Sequence, residues 1–327
     1  MQDVDLVADI GGTNARFALA ARETGRIVIR EPQNFRAVDF ETVRDAADAY
    51  LEAVGATPTR ACFAAAGPLI GGEVKFSNSP WVIREAEIVN GLRLRTFRIV
   101  NDFYALAAGV AHLDDEAFVS VRGGEALGDA PQLVIGPGTG LGQALIVPTE
   151  SGPKVVSTEG GHVTFAPRTD EEFAVMKFIA REHPRVSAER LLSGRGLVNI
   201  HRALCALADT PRVSLAANEI TEAAISGAYP IAARAVDMFC DVLGRVAGDA
   251  VLATGARGGV FLGGGILPKI RDIFLKSGFA EKFLDKGRMR TYLEPVPVRM
   301  IVREGAALYG AASSIPNAPM NATPIKE

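Results

Sequence analysis

Cysteine is scarce in this chain of 327 residues, and its three cysteines stand far apart. An odd number of widely spaced cysteines, Cys62, Cys205 and Cys240, fits neither a disulfide framework nor the ligand spacing of a zinc site. The four histidines are scattered and form no His-Glu-x-x-His pattern. We therefore expect no structural metal, and we interpret the cysteines as small buried hydrophobic residues in a reducing cytoplasm.

An excess of basic charge and a long uninterrupted apolar run are lacking as well. The chain has 35 Lys and Arg against 38 Asp and Glu, which argues against nucleic acid or an anionic membrane as its partner. The most apolar C-terminal stretch, residues 242–268, is interrupted by Arg245, Asp249 and Arg257 and is a poor membrane span. Two acids and no cationic segment precede the first apolar run, so a signal peptide is not predicted. We expect a cytoplasmic protein.

Strand and helix patterns alternate along the chain, which is typical of an α/β fold. In the first half we predict strands at residues 5–10, 14–21, 26–31, 61–66 and 97–100, and helices at residues 40–54 and 103–111. In the second half we predict strands at residues 132–135, 144–147, 260–262 and 298–302, and helices at residues 171–181, 188–192, 194–207, 230–253 and 305–312. We expect the Pro/Asn-rich tail, residues 317–327, to fray.

The length indicates two domains, at roughly 150 residues per domain. Each half contains a strand, a glycine-rich turn and a second strand, which is a weak internal repeat. Two similar halves facing each other would leave a cleft between them, and a helical insertion would enlarge the second half.

The first glycine-rich turn has the sequence DIGGTNAR and joins two predicted strands. Gly11 and Gly12 have no Cβ, so their backbone N–H groups can approach a polyphosphate closely, and Thr13 and Asn14 add side-chain donors. Asp9, at the end of its strand, could hold the water shell of a Mg²⁺ ion, which prefers one or two carboxylates plus phosphate oxygens.

The second glycine-rich turn, GPGTGLG at residues 136–142, offers a similar cradle for an anion, with Gly138, Thr139 and Gly140 at its centre. Either turn alone is equally well explained as a tight hairpin. Two such turns, one in each half, favour nucleotide binding. There is no Gly-Lys dipeptide and hence no P-loop, and the second turn leads into a strand, unlike a dinucleotide-binding fold.

Asn101 and Asp102 stand where a predicted strand ends and a helix begins, the position at which α/β sheets present catalytic groups. An aspartate there can accept the proton of an attacking hydroxyl. The alternative is that the pair only caps the helix, since Asn and Asp are preferred N-cap residues.

Further polar side chains suited to sugar hydroxyls follow in the second half. Glu159 and His162 flank a flexible glycine pair, although such residues are more often surface charges. Glu189 follows Ser187, a plausible N-cap, and by itself would be read as a solvated first-turn acid.

Three motifs together resemble the phosphate-1, phosphate-2 and adenosine motifs of the sugar kinase, Hsp70 and actin superfamily. They are DIGGTNAR, GPGTGLG and GGVFLGGGILP at residues 258–268. The resemblance implies that the turn formed by Gly263, Gly264 and Gly265 packs beside adenine and ribose. Without the other two motifs it would be a plain turn after a strand.

A further ordered series, NDFYALA, EGGHVTFAP, VSAERLLSGRGLVN and SGFAEKFLDKGRM, resembles bacterial glucokinases of the non-ROK type over residues 5–312. ROK-type glucokinases carry a Cys-rich zinc motif that this chain lacks. Two departures are visible: Thr164 stands where relatives often have Asp, and residues 303–306 lack an expected Pro-Gly-Leu.

The resemblance implies phosphorylation of the 6-hydroxyl of glucose by Mg²⁺–ATP. In it Asp102 is the general base, and the sugar hydroxyls are bound by Asn101, Asp102, Glu159, His162 and Glu189. The turns at residues 11–14 and 138–140 hold the nucleotide phosphates.

The implied fold is a two-domain actin-like ATPase fold, also called ribonuclease H-like, with the active site in the interdomain cleft. A small α/β domain would comprise residues 1–112 and 301–327, and a large α+β domain residues 113–300. Relatives suggest a homodimer.

Three alternatives stay open on the sequence. The enzyme could phosphorylate another hexose, or use polyphosphate or ADP as the donor. A sugar-responsive regulator could share the scaffold, but such regulators typically add an N-terminal helix-turn-helix, and here the first phosphate motif begins at Asp9.

Overall fold

The computed structural model describes residues 4–67, 69–76, 79–210 and 214–316. The chain divides into two compact units. The first comprises Met1–Asp115 together with Arg303–Glu327, and the second comprises Glu116–Val302. The expected frayed tail, residues 317–327, lies outside the described residues.

Strands and helices alternate as predicted, with additional short elements. The strands are β1 (Asp5–Ile10), β2 (Asn14–Glu23), β3 (Arg26–Arg36), β4 (Arg60–Ala65), β5 (Leu69–Ile70), β6 (Glu73–Lys75), β7 (Val82–Arg84), β8 (Thr96–Asn101), β9 (Phe118–Arg122), β10 (Gln132–Pro137), β11 (Leu141–Val147), β12 (Lys154–Thr158), β13 (Val260–Leu262) and β14 (Val298–Ile301). The helices are α1 (Val43–Val54), α2 (Glu85–Gly91), α3 (Asp102–Val110), α4 (Asp170–Ala180), α5 (Gly194–Leu207), α6 (Ala217–Ser226), α7 (Pro230–Thr254), α8 (Arg271–Lys276), α9 (Phe279–Leu284), α10 (Arg290–Leu293) and α11 (Ala306–Ser313).

The first unit is built on a sheet with the strand order β3-β2-β1-β4-β8. The β1–β2 and β2–β3 pairs are antiparallel, so these three strands form a meander, whereas β4 and β8 run parallel to β1. Apolar side chains cover both faces. Phe17, Tyr50 and Phe63 lie in one core, and Val7 and Leu308 lie in the other.

Helix α1 begins later than predicted because Thr42 caps it. The Thr42 hydroxyl accepts the Asp45 N–H, and the Asp45 carboxylate accepts the Thr42 N–H in return. This capping box fixes the start at Val43 rather than at Phe40.

Helices α3 and α11 pack at unusually close range in the first unit. A Cβ at Gly310 would overlap the Ala105 carbonyl oxygen, and a Cβ at Gly109 would lie 2.6 Å from the Ala306 carbonyl oxygen. Only glycine permits these backbones to touch. The contact fixes the position of α3, whose first turn carries Asp102.

The second unit is built on a sheet with the strand order β12-β11-β10-β13-β14-β9. Strands β13 and β14 run parallel to β10, and β11 pairs with it antiparallel. Helix α7 crosses the centre of the main hydrophobic core, where Phe239, Val242 and Leu243 are fully buried. Among the described residues, no helix combines the length and apolar character that crossing a bilayer requires.

The sequence predictions missed several short elements and overestimated one. The missed ones are the small β5-β6-β7 sheet, strands β9 and β12, and helices α2, α6, α8, α9 and α10. The helix predicted at residues 188–192 is a single 3-10 turn, Ala188–Arg190. Ser187 occupies the N-cap position of this turn, as predicted, but its side chain makes no capping hydrogen bond to it.

Candidate active site

The turn between β1 and β2 is closed by backbone hydrogen bonds. The Gly11 N–H donates to the Asn14 carbonyl oxygen (2.9 Å), and the Ala37 N–H donates to the Thr13 carbonyl oxygen (2.9 Å). The Thr13 and Asn14 side chains are exposed, and the Asn14 amide donates to the Thr13 hydroxyl (3.2 Å). The turn therefore presents polar donors to solvent on a fixed backbone.

Asp9 lies just before this turn and opposite Arg16 in the β1–β2 register. Burial raises the pKa of the Asp9 carboxyl above its ordinary value, and the positive charge of Arg16 acts in the opposite direction. Arg16 also donates to Asn34 Oδ1 (2.7 Å) and to Glu304 Oε2 (3.0 Å). Its charge is thus shared among several acceptors, which leaves Asp9 short of compensation.

The sequence left open whether Asn101 and Asp102 cap a helix or supply a catalytic carboxylate, and the structure gives the two residues different positions. Asn101 caps α3, because its Oδ1 accepts the N–H groups of Phe103 (2.9 Å) and Tyr104 (3.1 Å). Asp102 is the first residue of the helix, partly buried, and its Oδ1 accepts the Phe103 N–H (2.9 Å). The capping interpretation is therefore right for Asn101 and leaves the carboxylate of Asp102 at the positive end of a helix.

Strand register brings Asn101 and Asp102 to the same edge of the sheet as the β1–β2 turn. Ile10 pairs with Ala65, and Ala65 pairs with Asn101. Neighbouring strands are about 4.8 Å apart, so the ends of β1 and β8 lie roughly 10 Å from each other. The structure thus places the first predicted phosphate turn beside the predicted base.

The turn between β10 and β11 is held at both ends. The Gly138 N–H donates to the Gly140 carbonyl oxygen (2.7 Å), and the Gly138 carbonyl oxygen accepts the Gly194 N–H (2.9 Å). Thr139 at the tip is exposed. A Cβ at Gly138 would meet no atom within 4 Å, so the packing of the protein itself does not require glycine there. The open space beside this turn leaves room for a bound phosphate.

Glu189 lies against the same turn. Its Oε2 accepts the Leu141 N–H at 3.0 Å, across 48 positions of sequence. The sequence indicated a sugar ligand or a solvated acid at Glu189, and its contact with Leu141 was not predicted. The contact of Gly194 with the turn was not predicted either, because no local pattern signals either partner.

The predicted adenosine motif lies beside this turn in the second unit. Strand β13 runs parallel to β10, and the Gly263 N–H donates to the Ile135 carbonyl oxygen (2.9 Å). A Cβ at Gly136 would overlap the Gly263 carbonyl oxygen. The predicted nucleotide residues at 138–140 and 263–265 therefore belong to adjacent strand ends.

The Glu159–His162 segment follows β12 as a short 3-10 turn, Gly160–His162. The Glu159 and His162 side chains are 80% and 55% exposed, and Glu159 Oε2 lies 3.8 Å from His162 Nε2. Both side chains are therefore accessible to a ligand.

Backbone pairing brings this segment next to the one that carries Glu189. The Ala188 N–H donates to the Val163 carbonyl oxygen (2.9 Å), and Thr164 forms a β-bridge with Ser187. Thr164, the departure from the family pattern, thus contributes its backbone to this junction. The three predicted sugar ligands of the second unit, Glu159, His162 and Glu189, are carried by adjacent segments.

Within the described ranges, no group of three or more His, Cys, Asp and Glu side chains is arranged to hold a metal ion. Asp9 stands as a single carboxylate beside the first glycine turn, which is a donor set that suits an ion retaining most of its own water.

Comparison with known proteins gives a consistent result over nearly the whole chain. The family model described as Glucokinase matches residues 6–318. A glucokinase of Hahella chejuensis is 42% identical over 315 residues, covering 95% of this chain and 97% of the relative.

Solved structures agree with this result. A crystal structure of glucokinase from an Antarctic psychrotroph has a TM-score of 0.84 and 38% identity, covering 97% of this chain and all of that one. A ROK family glucokinase from Streptomyces griseus, in complex with glucose and AMPPNP, has a TM-score of 0.65 and 22% identity, covering 95% and 98% of the two chains. The latter likeness extends the actin-like ATPase fold to a more distant group. With its fold and its motifs in the expected order, the chain belongs to the glucokinase family.

Proposed function

We propose that this protein transfers the γ-phosphoryl group of ATP to the 6-hydroxyl of D-glucose, giving glucose 6-phosphate and ADP. Membership of the glucokinase family supports this reaction. The single observation that carries it is the strand register Ile10–Ala65–Asn101, which sets a carboxylate on a helix N-terminus beside a glycine turn suited to phosphate.

Asp102 is the general base of the proposed reaction. It accepts the proton of the 6-hydroxyl while that oxygen forms a bond to the γ-phosphorus. The bond from phosphorus to the β–γ bridging oxygen breaks, and its electron pair leaves with ADP. The proton then passes from Asp102 to solvent.

Asn101 supports the sugar through its amide nitrogen. Its Oδ1 is occupied by the first turn of α3, so Nδ2 is the group that can donate to a hydroxyl. In the second unit, Glu159 and Glu189 supply acceptors, and His162 supplies either a donor or an acceptor according to its tautomer.

The two glycine turns hold the nucleotide. The turns at residues 11–14 and 138–140 lie against the phosphates, where the exposed side chains of Thr13, Asn14 and Thr139 can donate to phosphate oxygens. The turn at residues 263–265 lies beside adenine and ribose. When bound, Mg²⁺ neutralises charge on the phosphates. Asp9 would hold the water shell of that ion, because it is one partly buried carboxylate whose charge is incompletely balanced.

The test is a coupled assay of ADP release with Mg²⁺–ATP and equal concentrations of glucose, mannose, fructose and N-acetylglucosamine. We expect kcat/KM for glucose to exceed that for each other sugar by more than about tenfold, since a site built to bind a hydroxyl discriminates against sugars that misplace it. A different preferred sugar would change the substrate and keep the reaction. No stimulation by any sugar would overturn the proposal.

A further inference from the structure

The turn between β10 and β11 ends at Leu141, and both peptide groups of Leu141 are engaged. Its N–H donates to Glu189 Oε2 (3.0 Å), and its carbonyl oxygen lies so close to Gly161 that a Cβ there would overlap it. The Leu141 side chain is itself buried. The last peptide of the turn is therefore located by two segments distant in sequence, residues 159–162 and 188–190.

The carboxylate of Glu189 also sits directly beside the turn itself. A Cβ built on Gly140 would overlap Glu189 Oε2. At the other end of the turn, the Gly194 N–H donates to the Gly138 carbonyl oxygen. Of these two anchors on the turn, Glu189 is the one made by a side chain, and a hydrogen bond to a charged acceptor is stronger than one between neutral groups.

The segment that carries Glu189 is itself fixed. Ser193 is buried, its hydroxyl donates to the Glu189 carbonyl oxygen (2.9 Å), and it accepts the Gly196 N–H (2.9 Å) as the N-cap of α5. Helix α5 thus holds the backbone of Glu189 in place. A carboxylate on so rigid a base can define the position of the peptide that it binds.

We propose that Glu189 is a positioning residue for the nucleotide phosphate turn, in addition to its role as a sugar ligand. This inference rests on the proposed function, because it takes the Gly138–Gly140 turn to hold the phosphates of ATP. A carboxylate has two oxygens with about four lone-pair directions, so accepting the Leu141 N–H leaves capacity for a sugar hydroxyl. The same side chain then links the sugar to the phosphate turn.

The first test measures binding of AMPPNP by calorimetry without sugar, for the wild type and for Glu189→Ala, Glu189→Gln and Glu222→Ala. We expect Glu189→Ala to weaken AMPPNP binding about tenfold, equivalent to about 1.4 kcal/mol. Glu189→Gln keeps an oxygen that accepts the Leu141 N–H and should stay within about twofold of the wild type. Glu222→Ala, the matched control, removes an exposed glutamate of α6 in the same unit and should leave AMPPNP binding unchanged.

The outcomes separate the inference from the proposed function. If the wild type does not bind AMPPNP, the proposed function fails and takes the inference with it. If the wild type binds AMPPNP and Glu189→Ala binds it equally well, the inference is wrong and the proposed function stands.

A double-mutant cycle gives an independent reading that does not depend on Glu189→Ala alone. Gly140→Ala should displace the Glu189 carboxylate and weaken AMPPNP binding to a similar extent. The double variant should then bind no more weakly than either single variant, because both remove the same interaction. Additive losses would contradict the proposal.

Discussion

Two carboxylates at one edge of the first unit's sheet, Asp9 and Asp102, have different surroundings and suit different tasks. Asp9 is deprived of water without full compensation from Arg16, so a nearby cation would stabilise its charge. Asp102 lies in the first turn of α3, where the helix favours a negative charge. A general base must be ionised before it can act, and Asp102 is in the better position for that role.

Replacement of Asp102 tests the base directly. We expect Asp102→Ala to lower kcat by about 10²–10⁴-fold, the usual contribution of a general base, while glucose and AMPPNP still bind. Steady-state kinetics and calorimetry would measure the two effects. Asp170→Ala is the matched control, since Asp170 opens α4 in the same way but is exposed in a different unit. More than about a tenth of wild-type kcat in Asp102→Ala would exclude Asp102 as the base.

Replacement of Asp9 should reveal its cost to stability. Because burial raises the pKa of Asp9 in the folded state above its ordinary value, the folded protein binds this proton more tightly than the unfolded chain does. The free energy of unfolding therefore falls as pH rises from the ordinary pKa of 3.8 through the raised one. We expect Asp9→Asn to be more stable than the wild type at pH 7, with the difference vanishing below the ordinary pKa. Urea denaturation at pH 7 and at a pH below 3.8 measures this difference in the free energy of unfolding.

Asp45 gives the control of opposite sign. The Thr42 side chain, through its hydrogen bond, lowers the pKa of Asp45, so this carboxylate stabilises the fold above its ordinary pKa and loses that effect as pH falls through the lowered value. Asp45→Asn should therefore be less stable than the wild type at pH 7. If Asp9→Asn destabilised the protein in the same way, the interpretation of Asp9 would be wrong.

The Asp9→Asn variant should also need about 10- to 100-fold more Mg²⁺ than the wild type for activity.

At the scale of elements, the packing of α3 on α11 connects stability to chemistry. The two helices meet through Gly109 and Gly310 with their backbones almost in contact. Helix α3 presents Asp102 at its start, eight residues before Val110 at its end. A small separation of the helices would therefore shift the carboxylate relative to the β1–β2 turn.

Gly310→Ala tests this packing. Alanine is the better helix former by about 1 kcal/mol, but its methyl group would overlap the Ala105 carbonyl oxygen, and neither backbone can yield cheaply. We expect a net loss of about 1–3 kcal/mol in the free energy of unfolding, measured with urea, and a lower kcat. Gly128→Ala, where a Cβ meets nothing within 4 Å, should change stability by less than about 0.5 kcal/mol. Unchanged stability in Gly310→Ala would contradict the close packing.

At the scale of the whole molecule, the fold could be predicted where the hydrophobic pattern is local. Strand β1 is buried on both faces around the apolar run Leu6–Val7–Ala8, and α7 keeps helical spacing over 25 residues. Strand β12 could not be predicted in this way, because it lies at the edge of its sheet, with Val156 46% exposed, and depends on pairing with β11. Helices α8 to α10 are four to six residues long, too short to show a period.

The candidate site also contains features that a local pattern predicts and features that depend on long-range pairing. The junction at Asn101 and Asp102 is local, so the sequence predicted both possible roles, and hydrogen bonds to the helix decided which residue caps. The contact from Glu189 to Leu141 spans 48 positions and depends on the pairing of Thr164 with Ser187. No pattern of residue types encodes that pairing. The motif resemblance identifies Glu189 as a site residue but does not show which groups its carboxylate contacts.

The first unit is assembled from two stretches of chain separated by the whole of Glu116–Val302. During synthesis on the ribosome, the second unit is a continuous segment and is complete before α11 emerges. Helix α3 must wait for α11, so the backbone around Gly109 stays uncovered until α11 has been synthesised. The unit that holds the proposed base consequently matures after the chain of the second unit is complete, and a nascent chain cut short before Ala306 would carry Asp102 without the helix that fixes it.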